Sequence, residues 1–178
     1  NSKNQTIIGS LFSNNIAQGL SSNGVAPSHG YGGGAVYWLG RDGSIINSNF
    51  TDNTANIGGA VYYSNSNNQS ITDSNFFNNT ATMTGLDNTA LSTPGGGAIY
   101  YYTTNDARIE NVNFTENSAF RGGAISYAKG TNVSIVDSLF SKNEANASSA
   151  ASGGAIYYNT VTDSTIENVN FTEKSKKK

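Results

Sequence analysis

The chain has 178 residues, with ten Lys and Arg against twelve Asp and Glu, one His and no Cys. No Cys means no disulfide, thiolate nucleophile or Cys-based zinc site, and one imidazole falls short of the positioned sets that triads and most metal hydrolases need. A net charge of -2 gives no basic footprint for nucleic acid, and 26 Asn, 23 Ser and 17 Thr, poor helix formers and good turn formers, argue against an α-helical protein.

From the N-terminus, Ile7 is followed five residues later by Phe12, which opens the word Phe-x-x-Asn-x-Ala. That word stands at Phe12-Asn15-Ala17, Phe50-Asn53-Ala55, Phe76-Asn79-Ala81, Phe114-Asn117-Ala119 and Phe140-Asn143-Ala145, and a sixth copy at Phe171 breaks off. A second word, Gly-Gly-Ala followed by Val or Ile and then aromatics, alternates with it at Gly33, Gly58, Gly96, Gly122 and Gly153. From the Ala of the second word to the next Phe is 15 residues once and 16 four times, with an Ile always five before the Phe (Ile45, Ile71, Ile109, Ile135, Ile166). From Phe to the next such Ala the steps are 23, 10, 22, 10 and 15, so all length variation falls at one place in the unit.

Each unit holds three short β-prone runs separated by polar turns such as Gly40-Arg41-Asp42-Gly43. No stretch between them is long enough for the helix of a β-α-β unit. The reading is an all-β, right-handed parallel β-helix of about six coils, a single domain over 1–178 with loop insertions at one corner and a polar, basic tail at 172–178. The handedness follows the general rule for parallel strand connections. No run approaches the eighteen or so apolar residues of a membrane helix, and no leader or sorting tail is visible, so the chain reads as mature or as a piece of a longer repeat protein.

Stacked coils turn each repeated position into a column with ~4.8 Å between rungs. The expected structural ladders are Phe12, Phe50, Phe76, Phe114, Phe140 and Phe171 in the core, and Asn15, Asn53, Asn79, Asn117 and Asn143 turned inward at a corner, each amide bonding its neighbours above and below. After Gly-Gly-Ala, strand alternation puts Trp38, Tyr63, Tyr101, Tyr127 and Tyr158 inside and Tyr37, Tyr62, Tyr100 and Tyr157 outside. That outer Tyr stripe is one candidate ligand-binding surface. The inserted loops, roughly 18–32 (with His29), 82–95 and 146–152, are the other, since loops on a constant scaffold commonly carry recognition.

The paired words resemble the repeats of chlamydial polymorphic membrane proteins and of large archaeal adhesin-like surface proteins, over nearly the whole chain from about Ile7 to Phe171. The resemblance implies a β-helix exposed at an archaeal or bacterial cell surface and used for adhesion or as a stalk. Its partners would be a glycan or protein on a host or neighbouring cell. Eight Asn-x-Ser/Thr triplets, at Asn4, Asn49, Asn68, Asn78, Asn113, Asn132, Asn146 and Asn170, agree with an extracellular location and are candidate glycosylation sites.

Two other readings stand beside adhesion. Open coil ends could stack copies of the chain end to end into a surface filament. A polysaccharide lyase or hydrolase would need paired carboxylates or a base beside a metal or acidic cluster. The acids are scattered, and Asp73 and Asp137 share a turn slot with Asn47, Asn111 and Asn168. Arg108 with Asp106 and Glu110 is the best mixed group, and turn chemistry accounts for it. The expectation is a protein without enzyme activity, cofactor, metal site or nucleic-acid partner, and without a membrane span of its own.

Overall fold

The computed structural model describes residues 2–19, 32–82, 95–146 and 153–172. The interiors of the three inserted loops, with His29 and Asp87, and the tail from 173 lie outside the described residues. Among the described residues there is no helix, and the named strands pair in parallel throughout three sheets. This architecture is all-β and compatible with a parallel β-helix.

The six-stranded sheet is made of the Phe strands, in the order Asn170–Thr172, Leu139–Ser141, Asn113–Thr115, Asn75–Phe77, Asn49–Thr51, Leu11–Ser13. The five-stranded sheet takes the Asn-x-Ala corner, running Glu144–Ala145, Ser118–Ala119, Thr80–Ala81, Thr54–Ala55, Ile16–Ala17. The ten-stranded sheet joins the strand after Gly-Gly-Ala to the strand that carries the conserved-phase Ile. They are separate elements in the early repeats, as in Val61–Tyr63 and Ser66–Thr72, and fuse into Ile125–Val136 and Ile156–Glu167.

Neighbours in each sheet are equivalent strands of successive repeats, and the register follows the words. Phe12, Phe50, Phe76, Phe114, Phe140 and Phe171 lie opposite one another in turn, as do Ile7, Ile45, Ile71, Ile109, Ile135 and Ile166. The Phe rings stack at 4.8, 4.7, 5.1, 4.7 and 5.1 Å between centroids, with interplanar angles of 20° or less. Phe50, Phe76 and Phe114 are sealed from solvent, and each contributes roughly 1.5–3 kcal/mol of burial.

The inward Asn column is a continuous amide ladder. Nδ2 of Asn15, Asn53, Asn79 and Asn117 donates to Oδ1 of the next Asn at 2.8, 2.9, 3.0 and 3.0 Å. The same Oδ1 atoms accept the backbone N–H of the preceding Asn, and Nδ2 of Asn53, Asn79, Asn117 and Asn143 also reaches the carbonyl of a Phe one rung back. The ladder thereby gives each corner's backbone N–H an acceptor and adds a second donor to the Phe carbonyls. A second polar ladder was not among the expectations. Ser48, Ser74 and Ser138 are buried, and their hydroxyls accept backbone N–H groups of the preceding rung while donating two residues back along their own chain.

The richness in Asn and Asp has a backbone cause. Among the described residues, seventeen non-glycine residues have positive φ, and all but Glu116 and Lys142 are Asn or Asp, the side chains that best tolerate this left-handed region. The second glycine of each Gly-Gly-Ala has a different role. A Cβ on Gly59, Gly97 or Gly123 would meet the carbonyl oxygen of the next rung's glycine at 2.0–2.1 Å, so the backbones stack only because that atom is missing.

Candidate functional site

The inner aromatic column faces the main core: Trp38, Tyr63, Tyr101 and Tyr127 are at most 5% exposed. Tyr63, Tyr101 and Tyr127 stack nearly parallel at 4.8 and 4.3 Å. Burial pushes the phenols of Tyr63, Tyr101 and Tyr127 well above the ordinary tyrosine range and that of Tyr158 up to about 12.

The outer column is in register, Tyr37 over Tyr62 over Tyr100 over Ser126 over Tyr157. The expected solvent-facing stripe is corrected in part. Tyr37 is 54% exposed, but Tyr62 and Tyr100 are each 1% exposed, and Tyr157 is half-buried. Tyr62 and Tyr100 form a second small core with Ile57 and Ala128, with Tyr102 packed against it. The Cα of Gly32 lies so close above the Tyr62 ring that a Cβ there would meet it at 2.0 Å. Tyr37 meets Tyr62 edge-on at 5.1 Å, and Arg121 donates to the Tyr157 hydroxyl at 3.0 Å with its guanidinium 5.2 Å from that ring's centroid. Strand alternation fixed the face correctly, but a layer packed over that face removes Tyr62 and Tyr100 from direct ligand contact. Of the four candidates, Tyr37 is the openly accessible one.

All eight candidate glycosylation sites are exposed, including Asn49, Asn113 and Asn170 beside the inward Phe. Their amides are not equivalent. Nδ2 of Asn68, Asn78 and Asn132 is held by Asp42, Asp52 and Asp106 of the preceding rung at 2.8, 2.7 and 2.7 Å, and that of Asn146 by Ser118 at 2.7 Å.

Arg108 and Glu110 form an exposed ion pair at 3.0 Å, two residues apart on one strand. Lys142 and Glu116 form another across rungs at 3.3 Å. Among the described residues, no three His, Cys, Asp or Glu side chains come together as a metal site, and no helix is long and apolar enough to cross a membrane.

The outward face of the Phe strands was passed over by the word-based reading. Its two columns are Leu11, Asn49, Asn75, Asn113, Leu139, Asn170 and Ser13, Thr51, Phe77, Thr115, Ser141, Thr172. Nδ2 of Asn113 donates to Asn75 and that of Asn75 to Asn49, both at 2.9 Å, giving an exposed amide ladder. In the second column every residue bears a hydroxyl except Phe77, which is 42% exposed. The signal in the sequence is that single departure from Ser or Thr one residue after the repeated Phe.

The model of the Chlamydia polymorphic membrane protein repeat matches the chain at residues 73–102 and 137–159. Each match spans a Phe-x-x-Asn-x-Ala word, an inserted loop and the following Gly-Gly-Ala-Ile strand. The chain therefore carries repeats of this type. No curated protein and no solved structure matches it.

Proposed function

We propose that the chain forms a right-handed parallel β-helix of about six coils at a cell surface, outside the cell, and acts there in adhesion without catalysing a reaction. One observation carries this reading. The inward columns repeat the same residue from rung to rung, whereas the outward positions of the same strands change, as from Thr51 to Phe77 to Thr115. A scaffold held constant inside and varied outside is suited to presenting a recognition surface. The polymorphic membrane protein repeat supports the cell-surface part of the reading. The partner is a glycan or protein of a host or neighbouring cell, and glycans attached to the chain itself would meet amides without a protein acceptor, among the described residues, at Asn4, Asn49 and Asn170.

The test is adhesion of beads coated with the purified chain to cultured cells and to immobilised glycans. Saturable binding that soluble chain competes away is the expected result. Beads that stick no better than albumin-coated controls would refute it, and release of unsaturated or reducing sugars from polysaccharides would overturn its non-catalytic part. Stacking of copies end to end is a second reading. It is favoured by the in-register parallel pairing of equivalent strands from rung to rung, a pattern that a further copy could continue. Filaments in electron micrographs of concentrated protein would support it, and monomers alone would end it.

A further inference from the structure

The outward face of the Phe strands differs from the other two in charge. Among the described residues, the ten-stranded sheet presents both acids and bases, among them Arg41, Asp42, Asp106, Arg108, Lys129 and Asp163, and the five-stranded sheet presents Glu144. The twelve outward positions of the Phe strands carry no ionisable side chain. Acids stand along both margins of this face: Asp73 and Asp137 in the turn before the Phe, and Asp52 and Glu116 in the turn after it, where Lys142 in the same slot pairs with Glu116 at 3.3 Å. At the centre, Phe77 lies between Thr51 and Thr115 on the adjacent rungs and beside the amide ladder of Asn49, Asn75 and Asn113.

From this arrangement we infer a binding site for a neutral glycan, centred on Phe77. The inference rests on the adhesive reading above and names the ligand class. A pyranose ring has one face of C–H groups and a rim of hydroxyls. The C–H face matches an exposed aromatic ring, and the rim matches side-chain amides ~6.6 Å away, two residues along the strand, and hydroxyls ~4.8 Å away on the adjacent rungs. The amide ladder fixes those groups in advance, because each inner amide is oriented by its neighbour, so little side-chain entropy is lost on binding. Charge selects within the class. Beside Phe77, a sulfated, sialylated or uronic polymer would run between Asp73 on one margin and Asp52 on the other and be repelled, whereas a neutral chain meets no such penalty. An exposed Phe alone is ordinary on a protein surface. Here it replaces the hydroxyl residue of every other rung, on the one face that lacks charge.

Asn49 and Asn113 are also glycosylation candidates, so the experiment uses the 178-residue chain produced without N-glycosylation. The chain is screened on neutral and acidic oligosaccharides, and a neutral binder is titrated by calorimetry. Phe77→Thr and Asn75→Leu install residues that this fold already carries in the same columns, so both variants keep the stack. Unchanged circular dichroism and melting check this. The expected result is binding to neutral glycans, weakened about ten-fold by Phe77→Thr, the scale of one lost ring contact, and weakened also by Asn75→Leu. Lys129→Ala, on another sheet, should leave it unchanged. Equal affinity of Phe77→Thr and the parent chain, a preference for acidic glycans, or no neutral binder at all overturns the site. If cell adhesion persists undiminished in Phe77→Thr, the adhesive reading survives and this inference alone falls.

Discussion

Truncating one member of the buried amide ladder should cost far more than its size suggests. Asn79 is fully buried, and its side chain makes four hydrogen bonds. Nδ2 donates to the Phe50 carbonyl at 2.9 Å and to Asn117 Oδ1 at 3.0 Å, and Oδ1 accepts from Asn53 N and Asn53 Nδ2 at 3.1 and 2.9 Å. In Asn79→Ala the Asn53 backbone N–H and the Phe50 carbonyl both lose this partner inside the stack. The N–H is left stranded at ~1–3 kcal/mol, while the Phe50 carbonyl keeps its place in the strand ladder; with a small cavity the expected loss is roughly 2–4 kcal/mol. Asn15 supplies the internal control. It is only half-buried, and its side chain makes one such bond, to Asn53 Oδ1, so Asn15→Ala should cost about 1 kcal/mol. Urea unfolding followed by fluorescence of the single Trp, Trp38, and by circular dichroism measures both, and the two transitions must coincide before free energies are compared. A difference of less than about 1 kcal/mol between the two variants would show that the ladder is ornamental to stability, and the reasoning would fail.

Two further outcomes follow from the same geometry. A Cβ on Gly97 would meet Gly123 O at 2.1 Å and the Ser118 backbone at 2.5 Å, so Gly97→Ala should abolish folding or cost several kcal/mol, on the order of the largest single-site effects. The equivalent Gly154 meets, among the described residues, only Asn143 O at 3.9 Å, so Gly154→Ala should be neutral or slightly stabilising in thermal melts; a reversed order refutes the stacking argument. The buried phenols set an alkaline limit. Tyr158 is raised from 10.0 to about 12 in the fold, so the unfolded chain loses this proton first, and stability falls as pH rises from 10.0 through about 12. Two units correspond to roughly 3 kcal/mol from this residue alone. Tyr63, Tyr101 and Tyr127, shifted further in the same direction, extend the decline to higher pH. Melting across this range, read beside the ultraviolet absorbance of phenolate, checks it. Ionisation of all ten Tyr near pH 10.0 with the melting point unchanged would contradict it.

Much of the fold was legible because parallel stacking turns a spacing into a register. Fixed steps of 15 or 16 residues from Ala to Phe are what place Phe76 against Phe50 and Ile71 against Ile45. The Asn ladder could be read for the same reason, since its residue recurs three positions after five of the six repeated Phe. The Ser ladder escaped because Val112 and Val169 interrupt its column, so it forms no unbroken word. The outer Tyr column was harder to read. Alternation along a strand tells which face a side chain points to, not what lies upon that face, and the cover over Tyr62 and Tyr100 involves Ile57, Ala128 and Tyr102 from other parts of their repeats. Phe77 was hidden by the opposite effect. Repeats draw attention to what is constant, while an outward recognition residue stands out only by being different.

The turn slots show how variation within a repeat can itself be patterned. One left-handed corner reads Asn4, Asp42, Asn68, Asp106, Asn132, Asp163 along the stack; another reads Asn47, Asp73, Asn111, Asp137, Asn168. Either residue type satisfies the backbone, so the backbone alone would permit two acids in succession. Neighbouring rungs are ~4.8 Å apart, where two carboxylates repel by ~1 kcal/mol in bulk water and ~3 kcal/mol at the effective dielectric of a protein surface. Two rungs separate them by about a Debye length, and salt screens most of what remains. Strict alternation thus avoids the repulsion and gives the carboxylates donors. Asn68 bonds Asp42 at 2.8 Å, Asn132 bonds Asp106 at 2.7 Å and Asn111 bonds Asp73 at 2.6 Å, each a charge-assisted contact between successive repeats. Skipping an inner rung would set Asp against Asp in one column or the other, as Asp42 against Asp106 or Asp73 against Asp137. The sequence differences that make the repeats look imperfect therefore help to specify which repeat stacks on which.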